Sequence, residues 1–220
     1  MALQHRCIKY NNFIKLNRKE KIMAINANLS TRRVFSNLAY IRVTPWDSES
    51  AGPNVANIYD ITEVVADSTS IEQADNDSNV IEHEFSSNPL FENITLGDKT
   101  FTCESIDLQD GVLKGLFGWQ ALDTDGGVAA PNEYKHLYAT IELGFTNSED
   151  EIVLPKVLLN SKAVIASMKT DASKATISGT CYNAYIDSVK TDMAILKGKK
   201  TTTESAITAI LNRIKNEKPE

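Results

Sequence analysis

The sequence predicts a mainly β fold, a β-sandwich or barrel of two packed antiparallel sheets, with one flanking α-helix and a C-terminal helix. Runs rich in β-branched and aromatic residues recur between Leu38 and Tyr185, and several of them alternate with period two. Apolar stripes at helical spacing interrupt this series once in the middle and return near the end. The 220 residues, 42% of them hydrophobic, suffice for one domain with a sizeable core.

The predicted strands begin at residue 38. The first, 38–45, ends at Pro45, which cannot donate to a sheet ladder. The clearest alternation lies in 134–145, where apolar and polar residues exchange faces at each step. Gly97-Asp98 is predicted to form the turn of a hairpin. The remaining predicted strands are 55–65, 80–85, 91–96, 100–103, 152–159, 163–168 and 175–185.

Two polar segments between the strands are predicted to be loops. Residues 46–54 contain Gly and Pro, and residues 66–79 are acidic and rich in turn-forming residues. A calcium-loop pattern starts at Asp75, but Val80 and Ser86 stand where that pattern needs Gly and Glu. We therefore expect a solvated loop there rather than a metal site.

A helix is predicted over 105–117, with Ser105 as its N-cap and Gly118 just after its end. Gly111 and Gly115 each cost the helix about 1 kcal/mol relative to Ala. They also allow a neighbouring backbone to approach closely, so the helix is predicted to lie flat on a sheet. The apolar stripe that would pack there consists of Leu108, Val112, Leu113, Leu116 and Phe117.

Residues 188–220 are predicted to form a C-terminal extension with an amphipathic helix. Thr201 as N-cap and Glu204 at N3 make a capping box. Packing on its own domain and docking on a neighbouring molecule both fit such a helix. Its apolar stripe consists of Ile207, Ile210, Leu211 and Ile214, with Ala206 beside them.

Residues 1–22 form a basic leader that we expect to be disordered or absent from the native protein, with Met23 as the natural start. An arm that touches anionic partners is the alternative. Residues 1–23 carry a net charge of +5, which leaves −11 on residues 24–220. Such an acidic body repels nucleic acid and anionic membranes, and no apolar run is long enough to span a membrane. The main domain is predicted to be 23–187.

No residues with catalytic or metal-binding spacing are present in the sequence. The histidines lack the spacing of zinc ligands, and the cysteines form no Cys-x-x-Cys pair. Neither a phosphate-binding glycine loop nor a serine nucleophile elbow occurs. The sequence therefore predicts a non-enzymatic protein with no catalytic residue, cofactor or metal. The histidines and cysteines are His5, His83, His136, Cys7, Cys103 and Cys181.

Four stretches of the chain resemble bacteriophage tail tube proteins, whose fold is shared with type VI secretion tube proteins. They are residues 81–91, 107–119, 153–160 and 175–182. The order of predicted elements is similar as well: strands, a long acidic loop, strands, a helix, strands and a terminal extension. The resemblance covers about residues 38–187.

This resemblance implies a subunit that forms hexameric rings, which stack into a hollow tube that conducts DNA without binding it specifically. Its partners would be copies of itself and other tail proteins such as tape measure, sheath or terminator proteins. It would be a virion tail component, assembled in the host cytoplasm and not in a membrane. Loops would reach the next ring, and their candidate assembly residues are Trp46, Asp47, Asp67, Asp75 and Asp77.

Other functions stay open at this point. A secretion-tube homologue or another β-structural virion protein would also assemble. A monomeric ligand-binding β-barrel is a different class, and it would need an aromatic-lined pocket. The aromatic residues make up 7% of the chain and are scattered, which disfavours that class.

Overall fold

Antiparallel strands account for most of the regular structure in this chain. The computed structural model describes residues 35–61, 63–83, 86–106, 109–122, 126–133, 136–164, 173–198 and 203–218, apart from the side chains of 79–92 and 163–164. Its strands are β1 (Leu38–Pro45), β2 (Tyr59–Ile61), β3 (Ser70–Gln73), β4 (Asp77–His83), β5 (Ser86–Thr95), β6 (Lys99–Ser105), β7 (Gln120–Ala121), β8 (Val128–Ala129), β9 (Leu137–Phe145), β10 (Glu151–Leu159), β11 (Lys162–Val164), β12 (Lys174–Tyr182), β13 (Ala184–Ile186), β14 (Val189–Thr191), β15 (Ala194–Leu196) and β16 (Ile214–Lys215). The helices among these residues are α1 (Asp110–Phe117) and α2 (Glu204–Leu211).

One large and one small antiparallel sheet build the body of the protein. The large sheet has the strand order β2-β1-β9-β10-β12-β6-β3, with β11 beside β12 and β15 beside β10. The small sheet has the order β14-β13-β16. Two further antiparallel pairs are β4-β5 and β7-β8. The predicted fold class is confirmed: the described chain is mainly β, with antiparallel sheets, two helices and no closed barrel.

The first hydrophobic cluster lies between one face of the large sheet and α1. Period-two alternation sends Ile41 and Val43 of β1, and Ile141 and Leu143 of β9, to this face, where all four are buried. Leu108, which belongs to the predicted stripe, lies outside the described residues. The stripe residues of α1 that pack into the cluster are Val112, Leu113, Leu116 and Phe117.

The helix α1 begins at Asp110, so the prediction of Ser105 as its N-cap is wrong. Ser105 is the last residue of β6, and its hydroxyl donates to the Glu63 carbonyl at 3.0 Å. These contacts hold Ser105 in the sheet, and Gln109 precedes the helix instead, without a side-chain cap bond. The predicted end is correct, since Gly118 follows the helix in the left-handed region with φ 69°.

The ring of Tyr59 explains the two glycines of α1. A β-carbon at Gly111 would lie 3.3 Å from Tyr59 Cε1, and a β-carbon at Gly115 would overlap the same ring. The helix therefore approaches its neighbour closely, as predicted. However, the neighbour is an aromatic side chain of β2 rather than a backbone.

The second hydrophobic cluster covers the opposite face of the large sheet. Val153 comes from β10, whereas Ile207 and Leu211 come from α2, so α2 packs on its own chain. Ile210 of the same helix is buried too. The buried members of this cluster are Trp46, Val153, Ala184, Ile186, Ile207, Leu211 and Ile214.

The C-terminal helix is shorter than its apolar stripe indicates. It ends at Leu211, and after a short turn Ile214 lies in β16, so the prediction of Ile214 as a helix residue is wrong. Pairing with β13 holds Ile214 in the small sheet, where it is buried. The start differs as well, because Thr203 is the N-cap and Glu204 is the first helical residue rather than N3. Thr201 lies outside the described residues.

Candidate assembly interface

Strands β3 to β6 form one long antiparallel ribbon. β3 pairs with β6 in the large sheet, where Gln73 lies opposite Lys99. β4 pairs with β5 beyond that sheet, where Asp77 lies opposite Thr95. Three residues lie between Gln73 and Asp77, and three also lie between Thr95 and Lys99. The register therefore continues from one pair of strands into the other. We call the part beyond the large sheet, residues 74–83 and 86–98, the arm.

Gly97 lets the two backbones of the ribbon approach each other closely at the base of the arm. A β-carbon at Gly97 would overlap the Ala74 carbonyl group. The Ala74 N–H donates to the Asp98 carbonyl at 2.9 Å, and the Gly97 N–H donates to Asn76 Oδ1 at 3.2 Å. The predicted hairpin turn at Gly97-Asp98 is therefore wrong, since β5 pairs with β4 and β6 pairs with β3 and β12.

The acidic segment 66–79 contains β3 and the start of β4, so the prediction of a continuous loop is wrong. Asp, Asn and Ser disfavour strands, but ladder bonds to β5 and β6 hold this segment extended. Of the predicted assembly residues, Asp75 lies between the two strands and Asp77 begins β4. Asp67 precedes the ribbon in a turn, with φ 59°. All three aspartates are exposed.

The arm exposes both of its faces over residues 74–78 and 93–96. On one face, Ile94 is 57% exposed and lies opposite Ser78. Leu96 follows two residues later and is 70% exposed. On the other face, Asp77 lies opposite Thr95. Ile94 and Leu96 thus form an uncovered apolar patch on one face of the arm.

A ribbon of this kind needs a surface on which to lie. An isolated two-stranded sheet is at best marginally stable in water. Burial of a side chain such as Ile94 or Leu96 would stabilise a contact by about 1.5–3 kcal/mol. In the described residues β4 and β5 form a sheet of only two strands, so each also leaves one backbone edge open to pairing. These properties make the arm the candidate assembly interface.

The other predicted assembly segment, 46–54, lies against the body of the protein. Trp46 is only 7% exposed, and its Nε1 donates to Thr140 Oγ1 at 3.0 Å. Trp46 is therefore a core residue, and its prediction as a contact to a neighbouring molecule is wrong. Asp47 is exposed.

Lys156 ties this segment to the C-terminal residues. Its Nζ contacts Glu49 Oε1 at 3.1 Å and Asn216 Oδ1 at 2.8 Å. The same Nζ lies 4.7 Å from the centre of the Tyr138 ring. Because the ammonium group is buried, these partners offset the cost of removing it from water. Segment 46–54 is thereby held to the body.

The described residues offer little reactive chemistry. No group of three or more His, Cys, Asp or Glu among them could hold a metal ion. Cys103 and Cys181 are buried, and burial raises the pKa of each thiol to about 12. A protonated thiol is a poor nucleophile. Within the same residues, no helix is long and apolar enough to cross a membrane.

Comparisons with known proteins add only distant structural likeness. No family model and no curated protein sequence matches this chain. A chain in a solved structure, "Cryo-EM structure of the anti-feeding prophage (AFP) baseplate, 6-fold symmetrised", is similar over 77% of this chain and 99% of its own length. The two share 10% identity, and the TM-score is 0.39. We infer nothing about function from a likeness at this level.

Proposed function

We propose that this chain is a non-enzymatic structural subunit of a phage tail tube. In this proposal, copies assemble into hexameric rings, and the rings stack around a conduit for DNA. The observation that carries the proposal is the arm, a two-stranded ribbon on which Ile94 and Leu96 are uncovered. The sequence resemblance over about residues 38–187 supports the same function.

The arm supports assembly between copies for a geometric reason. Each copy would present an arm and, elsewhere, a body surface that receives the arm of another copy. A contact between two different surfaces of identical subunits is heterologous, so it repeats until it closes a ring or continues as a tube. An arm that binds the neighbouring subunit can therefore close a ring, and stacking of the rings would need a second contact between ring faces.

Charge supports a conduit rather than a nucleic-acid binding protein. Residues 24–220 carry a net charge of −11, and like charge keeps a phosphate backbone from adhering to a surface. Other tail proteins, such as tape measure, sheath or terminator proteins, would bind the ends or the outside of the tube. In this proposal 23–187 is the tube domain, 188–220 is an extension, and 1–22 is a leader outside the working protein.

A monomeric ligand-binding protein is the alternative that one observation favours. A groove of about 450 Å³ lies between the start of β1 and residues 64–69. Leu38, Tyr40 and Ile61 contribute to its lining. The groove opens at the edge of the sheet, where β2 leaves β1, and not inside a barrel. A secretion-tube homologue or another virion protein would use the arm in the same way, and the neighbouring genes would distinguish these.

Negative-stain microscopy of the purified full chain tests the proposal. We expect rings or tubes of uniform diameter. Monodisperse monomers at high concentration, in every buffer tried, would contradict assembly and would direct attention to the groove beside β1.

A further inference from the structure

A row of charged side chains is buried under the C-terminal part of the chain. Arg42 of β1 lies between Asp60 of β2 and Glu142 of β9, its register partners on either side. Arg42 Nε is 2.8 Å from Asp60 Oδ1, and Arg42 Nη1 is 3.1 Å from Glu142 Oε2. Arg42 is 2% exposed and Glu142 is 0% exposed, whereas half of the Asp60 side chain reaches solvent.

A second buried carboxyl group lies beside this row. Glu151 of β10 and Tyr40 of β1 are both register partners of Gly144, one on each side. The Tyr40 ring lies over Gly144, and its hydroxyl donates to Glu151 Oε1 at 3.0 Å. Glu142 pairs with Val153, so Glu142 and Glu151 are diagonal neighbours on one face. The Cα atoms of such diagonal neighbours lie about 7–8 Å apart, and their Cβ atoms somewhat closer.

Three carboxylates lie here: Asp60, Glu142 and Glu151. Arg42 is the one cation among the described residues that forms an ion pair with any of them. It is shared between Asp60 and Glu142, which leaves Glu151 without a positive partner. Glu142 Oε1 and Glu151 Oε2 are buried and have no hydrogen-bond partner among the described residues. An unpaired carboxylate is costly to bury, so the protonated form of Glu151 is favoured. Burial, together with the charge of Glu142, raises the pKa of Glu151 to about 7.

The elements that cover this face are mostly apolar where they contact the sheet. We call them the C-terminal cover: β13, β14, β16 and α2. Leu196 of β15 lies beside Glu151 in the large sheet and packs against the second hydrophobic cluster. The same cluster joins Val153 of β10 to Ile207 and Leu211 of α2. The charged side chains of the cover lie elsewhere: Lys190, Lys197, Glu204 and Lys215 are exposed, Asp187 pairs with Arg213, and Asp192 pairs with Lys99. Beside the cover, Asp150 accepts the Gly198 N–H.

We propose that Glu151 holds a proton while the C-terminal cover is closed, and that loss of this proton above neutral pH loosens the cover from the large sheet. With both groups ionised, the site holds three carboxylates against one guanidinium. Glu151 then needs water, and water reaches it only if β15 and the cover move away. The fold thus contains a pH-sensitive contact, which is independent of the proposed role in a tube.

Trp46 can report this movement, because it is buried in the cluster that the cover completes. The experiment uses the full chain with Trp119→Phe, so that Trp46 is the sole tryptophan. Acrylamide quenching of its fluorescence is measured from about pH 5.5 to about pH 8.5, on both sides of the expected transition. We expect quenching to rise severalfold with a midpoint near neutrality, while the far-ultraviolet circular dichroism stays constant.

Two further variants decide the cause of any rise. Glu151→Gln keeps an acceptor for Tyr40 but cannot ionise, so its quenching should stay low across the range. Glu149→Gln removes an exposed carboxylate from the preceding turn and should behave like the parent. A flat profile in the Trp119→Phe parent would overturn the proposal, and so would an unchanged rise in Glu151→Gln.

Infrared spectroscopy keeps the proposal testable if Glu151→Gln fails to fold. The difference spectrum of the wild type between the two ends of the pH range should show loss of a protonated carboxyl carbonyl band. The absence of that loss would also overturn the proposal.

Discussion

Gly97 and Ala74 lie so close across the base of the arm that any side chain at position 97 would overlap the Ala74 carbonyl group. This contact is where the ribbon leaves the large sheet and becomes an arm with two open faces. The direction of the arm therefore depends on a position where the chain has no room for a methyl group.

Gly97→Ala should damage assembly more than stability. Forcing a methyl group into a closely packed contact costs about 1–3 kcal/mol, and here the strain falls on the arm rather than on the core. We expect a folded protein with a nearly unchanged melting temperature that sediments as smaller species than the wild type. Gly127→Ala is the matched control, because among the described residues its β-carbon would meet Leu122 Cδ1 alone, at an ordinary contact distance of 3.5 Å. Wild-type assembly by Gly97→Ala would contradict this role.

Gly115→Ala should destabilise the protein, although Ala is the better helix former by about 1 kcal/mol. The new methyl group would overlap the Tyr59 ring, and we expect a net loss of about 1–2 kcal/mol in the free energy of unfolding by urea. In a Tyr59→Ala background the same change should become neutral or stabilising. A stabilising effect in the wild-type background would show that the ring moves aside.

Cys103 and Cys181 should resist thiol reagents in the native protein. Both are buried, and burial raises the pKa of each to about 12. In a Cys7→Ser variant, which removes the remaining cysteine, we expect no rapid modification by a maleimide until denaturant is added. Rapid modification of the folded variant would mean that β6 or β12 opens readily.

Glu151 should make stability fall as pH rises. Burial raises its pKa to about 7 in the folded chain from an ordinary value of 4.5. A raised carboxyl pKa gives stability that is complete below the lower value and lost as pH rises through the higher one. Between about pH 5 and 8 the free energy of unfolding should decrease by on the order of 3 kcal/mol. Denaturant titrations at several pH values measure this decrease. The free energy of unfolding should fall less with pH in Glu151→Gln than in the wild type, and an equal fall would contradict the assignment.

Local periodicity made the core of this fold predictable from sequence. The spacing of Val112, Leu113 and Leu116 gives a helical stripe, and Gly118 fits only the end of that helix. The alternation in β9 likewise identifies the residues of the first cluster, such as Ile141. Each of these signals is contained in a few consecutive residues.

The arm was missed because its strands depend on partners that are distant in sequence. Residues 75–78 read as turn formers, and only their bonds to residues 94–98 make them part of a ribbon. The buried carboxyl groups were missed for a related reason. Glu142 belongs to the polar face of β9, which a single sheet would expose, but the C-terminal cover closes that face. Arg42, its direct cross-strand partner, was the signal that could have found it.

The most direct test of the central claim is sedimentation velocity of the full chain with Ile94→Asp and Leu96→Asp together. Both side chains are exposed on the arm, so the double variant should fold and melt like the wild type. We expect it to remain monomeric under conditions where the wild type forms rings or tubes. Val189→Asp, at a similarly exposed apolar position of β14 and outside the arm, should assemble normally. Assembly of the arm variant at the wild-type concentration and rate would contradict the claim that the arm joins one copy to the next.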